Sequence, residues 1–171
     1  MRIIIIIFMF LHLNSFAQKY SANNGEITFY SYAPIEDIKA ENNKVSAIYD
    51  SETKELVFQL YIENFNFRKK LMQEHFNENY LESDLYPKSS FIGRVMSVND
   101  SVAKVQGLLS IHGISNQIDE VGSFVKKDNT FILSSNFKVK LEDYDVMIPK
   151  IVMYKIAEEI SIDVNITLIE N

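Results

Sequence analysis

A chain of 171 residues that is 47% apolar and 23% charged has ordinary globular composition, which excludes collagen-like, low-complexity and wholly disordered architectures and points to one domain. With no cysteine, it has no disulfides, thiolate catalysis, iron–sulfur clusters, zinc ribbons or lipid anchor on an N-terminal cysteine. A formal charge of −6, from 17 basic and 23 acidic residues, opposes nucleic-acid binding: a phosphate-tracking surface needs clustered cations, and Arg68-Lys69-Lys70 is the one dense basic run.

Met1 and Arg2 make a short basic start, Ile3 to Leu13 are apolar apart from His12, and Ser15-Phe16-Ala17 places small residues at both cleavage-determining positions. This reads as a signal peptide over residues 1–17, because the apolar run is about half the roughly 20 residues a membrane span needs. The domain then occupies residues 18–171, in the periplasm or outside a bacterium.

From there on, apolar and polar residues alternate with a period of two, the pattern of strands with one wet face. Strands are predicted at Ile27 to Tyr32, Val45 to Tyr49, Leu56 to Glu63, Phe91 to Val98, Ala103 to Ile111, Gln117 to Val125, Phe131 to Leu141 and Ile160 to Leu168. The turn-prone stretches Glu41-Asn42-Asn43, Asp50-Ser51-Glu52, Asn99-Asp100-Ser101 and Lys127-Asp128-Asn129 separate several of them. Between Asn66 and Tyr80 the alternation stops, and Leu71, Met72, His75, Phe76 and Asn79 fall at helical spacing, so one amphipathic helix is expected there. Arg68, Lys69 and Lys70 at its start oppose the helix dipole. A second short helix is read around Ile151 to Glu158, after Pro149. About eight strands joined by short polar turns describe an all-β antiparallel meander that closes into a barrel and so abolishes its edges, with a sandwich as the competing arrangement.

Motifs that carry chemistry are scarce. Gly113-Ile114-Ser115-Asn116-Gln117 lacks the closing glycine of a nucleophile elbow and reads as a turn. His112, just before it, reads as a partly buried strand-end side chain with a backbone partner. Glu74 and Glu78 lie one helical turn apart with His75 adjacent, but they project from the polar side of the helix, and no second cluster completes a metal site. The adjacent Glu158-Glu159 point in different directions and suit no paired acid and base, and no phosphate loop or dinucleotide fingerprint is present. No enzymatic activity, metal or cofactor is therefore expected, and a hydrolase or metal enzyme using His75, Glu78 or His112 is the remotest reading.

What remains is apolar surface. A barrel of this size either fills with its own side chains or holds one ligand, and periodicity leaves both outcomes open. If it is hollow, its lining is expected from Phe58, Leu60, Phe91, Leu109, Phe131, Phe137 and Val139, with Leu71, Met72 and Phe76 of the helix over one end. Such walls suit a hydrocarbon chain: at roughly 0.8 kcal/mol per methylene, ten buried methylenes give about 8 kcal/mol before ordering costs. A packed β-barrel module that binds a protein partner is the alternative.

The segment from Phe65 to Gly93 joins an aromatic strand end, a helix bearing Leu71-Met72, an acidic stretch and a Tyr86-Pro87 turn opening the next strand. It resembles the signature of YceI-like proteins. Leu108 to Ile114 and Phe137 to Pro149 resemble the family's later glycine turn and Asp-Tyr segment, and the likeness covers about Asn24 to Leu168. The resemblance implies a lipocalin-like barrel, exported to the periplasm, whose elongated pocket holds an isoprenoid, isoprenoid quinone or related long-chain lipid, with no catalysis established. Phe65, Phe67, Leu71, Met72, Phe76, Tyr80 and Phe91 would shape the helix side of that pocket. Members commonly have a His-Ser or His-Thr pair leading into an aromatic strand, whereas this chain has Ser31-Tyr32-Ala33-Pro34-Ile35-Glu36-Asp37-Ile38, an altered N-terminal wall. Arg68, Lys69 and Lys70 read first as a solvated charge run and second as a transient contact for an anionic head group or membrane surface.

Overall fold

A computed structural model describes residues 18–32, 37–148 and 156–171. The predicted signal peptide and most of the predicted second helix lie outside the described residues; its last three positions, 156–158, form no helical turn. Eight long strands, β1 (Lys19–Ser31), β2 (Ile38–Asp50), β3 (Glu55–Tyr61), β5 (Lys88–Asn99), β6 (Val102–Ile111), β7 (Ile114–Lys127), β8 (Thr130–Lys140) and β9 (Glu159–Glu170), are joined by a two-residue strand β4 (Asn66–Phe67) that adds to β2. The order β1-β9-β8-β7-β6-β5-β3-β2, with β2 paired back to β1, closes an antiparallel barrel and not a sandwich. Every long strand lies beside its neighbours in sequence, as an up-and-down barrel requires.

Each predicted strand is present. On β9, Val164, Ile166 and Leu168 are buried while Asn165 and Thr167 are exposed, which is the pleat expressed as burial. Three predicted boundaries need correction. Glu41-Asn42-Asn43 lies inside β2 and makes no turn: the opposing strand shifts register between Gly25 and Ile27, and fully buried Asn42 satisfies itself in place. Its Nδ2 donates to the Tyr61 carbonyl at 2.9 Å, and its Oδ1 accepts from the Lys44 N–H at 3.0 Å. β3 stops at Tyr61, where Ile62–Asn64 tighten into a 3₁₀ turn that buries Ile62. The turn read over Gly113–Gln117 shrinks to His112-Gly113, and β7 begins at Ile114.

The segment read as helical begins with α1 (Lys70–His75) and continues as a π-helical turn over Phe76–Tyr80. Lys69 at its N-cap provides no side-chain cap, and the first turn carries no acid, so its own propensity holds it weakly. Packing supplies the difference, because Met72, Phe76 and Tyr80 lie against the core, while Leu71 is 63% exposed.

One place in the wall is unusually thin. Gly93 on β5 pairs with Gly107 on β6, and the ring of Phe91 lies over both. A Cβ on Gly93 would stand 2.4 Å from Phe91 Cζ, and one on Gly107 would stand 2.7 Å from Phe91 Cε2. The phenyl ring therefore sinks into bare backbone and leaves the interior open.

Candidate functional site

The barrel is hollow. A cavity of about 570 Å³ runs between the inner faces of the strands. Its lower limit is an aromatic floor in which Tyr49 meets Phe124 at 5.0 Å and Phe131 at 5.2 Å, with Tyr20 edge-on to Phe131 at 4.7 Å. At the other end Phe76 of the helical segment stacks on Phe29 at 5.5 Å and lies 4.9 Å from Phe67, with Phe65 against both Phe29 and Phe76. Offset and edge-on rings of this kind hold a shape without filling the space between them.

Phe58, Leu60, Phe91, Leu109, Phe137 and Val139 line the cavity from the strands, and Phe65, Phe67, Leu71, Met72, Phe76 and Tyr80 line it from the helix side. Phe131 does not: it faces inward but lies in the floor, beneath the space it was expected to border. Phe29 also lines the cavity and was missed, although Ile27 and Phe29 share one face of a predicted strand. Tyr144 and Val146, both buried walls, follow β8 in a stretch without any period.

Apart from Gln59 and six serines, polar side chains in the lining are few. Lys69 and His75 stand at the helix side, and Glu120 projects inward from β7 opposite Val105. Glu120 is half-buried, and its carboxyl accepts no hydrogen bond among the described residues. Burial first, and then the neighbouring charge of Asp119, pushes that carboxyl above its usual range. Burial likewise raises the Tyr80 phenol.

The residues considered for catalysis are dispersed. Glu74, His75 and Glu78 are exposed, and among the described residues no three His, Asp or Glu side chains gather as a metal site. His112, partly buried with a backbone partner as read from the sequence, serves as a tie. Its Nδ1 faces the Tyr144 carbonyl at 3.2 Å, its Nε2 meets Glu82 Oε2 at 2.9 Å, and the Tyr86 ring lies edge-on at 4.5 Å. One side chain thus joins the loop after the helix, the β6–β7 turn and the 3₁₀ turn Leu141–Tyr144. His112→Ala is expected to cost about 2 kcal/mol, since it removes two polar contacts and leaves a carbonyl and a carboxylate without that partner. Thermal unfolding followed by circular dichroism should show a melting point lower by roughly 6 °C.

Among the described residues no helix is long and apolar enough to cross a membrane. The family profile described as YceI-like domain matches residues 19–168. Among solved structures, a polyisoprenoid binding domain from Saccharophagus degradans, implicated in plant cell wall breakdown, is 13% identical, with 91% of this chain and 99% of that chain covered and a TM-score of 0.77. Burkholderia cenocepacia BcnA is 14% identical over 84% of this chain and 95% of its own, with a TM-score of 0.74. The Campylobacter jejuni YceI protein is 18% identical over 82% and 88%, with a TM-score of 0.68. At such identities these likenesses establish the fold alone. No curated protein sequence matches the chain.

Proposed function

Because the chain belongs to the YceI-like family, we propose that it is an exported protein, periplasmic or secreted, that encloses the tail of an isoprenoid or similar long-chain amphiphile and so sequesters or carries it. The cavity of about 570 Å³ is the observation that carries this reading. Its size falls within the roughly 300–1,000 Å³ of small-molecule sites. Walls of Phe, Leu, Met and Val take methylenes out of water, and burial of the tail supplies affinity without an elaborate polar site. The likeness to a polyisoprenoid binding domain favours an isoprenoid among the candidate tails.

In this reading Phe58, Leu60, Phe91, Leu109, Phe137 and Val139 touch the tail from the strands, and Phe65, Phe67, Leu71, Met72, Phe76 and Tyr80 touch it from the helix side. Phe131 acts indirectly, by supporting Phe124 in the floor. Arg68, Lys69 and Lys70, at the start of the helical segment, meet an anionic leaflet during transfer. No catalytic step is assigned, and binding is the whole of the proposed activity.

The test is native mass spectrometry of the exported protein, with solvent extraction of the same sample and uptake of added isoprenoids. The expected result is one long-chain molecule per protein and an N-terminus at Gln18. Repeated recovery without lipid, together with no uptake, would remove the carrier reading.

A further inference from the structure

The β7–β8 ladder is short. Register pairs run only from Ser123↔Ser134 to Lys127↔Thr130, whereas β7 pairs with β6 up to Ile111↔Ile114 and β8 pairs with β9 down to Lys140↔Glu159. Above Ser123 the two strands part. They are bridged near the fork by Ser135 Oγ, which donates to the Val121 carbonyl at 3.0 Å, while near the top Asn116 Nδ2 of β7 donates to the Asp143 carbonyl, in the 3₁₀ turn after β8, at 2.6 Å. The stretch of β7 between those bridges is roughly 17 Å long at about 3.3 Å per residue. Val121 faces outward and is 53% exposed, and Ser134 lies on the outer face of β8, yet both border the internal cavity. No ladder pair joins the two strands along this stretch, and the cavity lining includes residues from both of its edges.

Glu120 lies on the inner side of the seam. Val105 faces it from β6, Phe137 and Val139 line the cavity from β8, and none of these offers its carboxyl a hydrogen bond. The cations nearest in sequence on the flanking strands point away: Lys104 is exposed on the outer face of β6, and Lys138 is bound to Glu159 at 3.1 Å. Asp119, on the outer face of β7, adds a like charge. A leucine there would complete the apolar wall, whereas a carboxyl held by burial above its usual range opposes folding in its charged form.

We propose that Glu120 is a head-group receptor at a side opening between β7 and β8, which selects amphiphiles whose head donates a hydrogen bond, a cationic amine first and a hydroxyl second, and which rejects carboxylates and phosphates at this position. The inference rests on the tail-binding reading and adds the chemistry of the head. The tail fills the cavity, and the head reaches water through the seam beside the carboxyl. An amine supplies both the donor and the opposite charge that the site lacks, and a charge-assisted hydrogen bond in partial burial separates it from an anionic head of equal tail length.

The experiment titrates dodecylamine, dodecanol and dodecanoate into the full chain and into Glu120→Gln and Glu120→Leu by calorimetry at neutral pH and low salt. The wild type is expected to bind the amine at least about tenfold more tightly than the carboxylate, with the alcohol between. Glu120→Gln should bring the amine down to the alcohol's affinity, and Glu120→Leu should erase the ranking. Both variants should melt no lower than the wild type, because they remove a charge that folding disfavours. If all three probes bind and the ranking is unchanged in Glu120→Leu, Glu120 is no receptor and the tail cavity stands. Failure of every probe to bind the wild type would instead overturn the cavity reading, and this inference with it.

Discussion

Leu109→Trp and Ile118→Trp are each expected to lower the affinity for a long-chain ligand by about two orders of magnitude while the barrel stays folded. Both side chains line the cavity, Leu109 from β6 and Ile118 from β7. An indole at either position takes up space that a tail would occupy. Each methylene driven back into water costs about 0.8 kcal/mol, so excluding four costs about 3 kcal/mol, or roughly two hundredfold in affinity. The same substitutions also report on the interior itself. In a filled core an extra ring forces neighbours off their rotamers at about 1–3 kcal/mol, whereas a ring entering empty apolar space gains contacts. Chemical denaturation beside ligand titration checks both halves. A large loss of stability with tail affinity unchanged would mean that these residues pack against one another and border no binding space.

Gly107→Val is expected to be among the most damaging single substitutions in the chain, at about 4 kcal/mol and a melting point lower by roughly 10 °C. A Cβ at this position would stand 2.5 Å from both Gly93 Cα and the Ile92 carbonyl oxygen, which are backbone atoms of the neighbouring strand and cannot rotate away. The Phe91 ring adds a further obstacle at 2.7 Å, but it is movable. Phe91→Ala in the Gly107→Val background should therefore fail to restore stability. Rescue by that second change would show that the ring, and not strand-to-strand contact, sets the requirement for glycine.

Much of this architecture is legible in the chain. Alternation in Ile160 to Leu168 tells which side chains face inward, and the inward set from eight such runs is the wall of the cavity. What alternation cannot carry is depth. Phe131 and Phe137 share a face of β8, but one lies in the floor and the other borders the hollow, because height along the barrel depends on strand stagger, a long-range property. Asn42 was misread for a related reason: its polarity looks like a turn until the Tyr61 carbonyl, supplied by another strand, satisfies its amide. Glu120 was invisible because Ile118-Asp119-Glu120-Val121 offers no clear alternation, and the parting of β7 from β8 leaves no local mark. The helix was found by its apolar spacing, yet Leu71 is exposed, since eleven residues laid across a barrel mouth cover it with one narrow stripe.

The sequential order of the strands also dictates how the molecule is assembled. Seven of the eight long-strand contacts join long strands consecutive along the polypeptide, and only the seam between β1 and β9 connects the two ends of the described domain. Neighbouring hairpins can thus zip progressively as the chain emerges, but the circle is completed only when the C-terminal strand docks on the first. Until that moment the oily interior is flooded and two raw margins stand ready to pair with another copy. Enclosure of the interior and removal of the free edges therefore both depend on the pairing of β9 with β1.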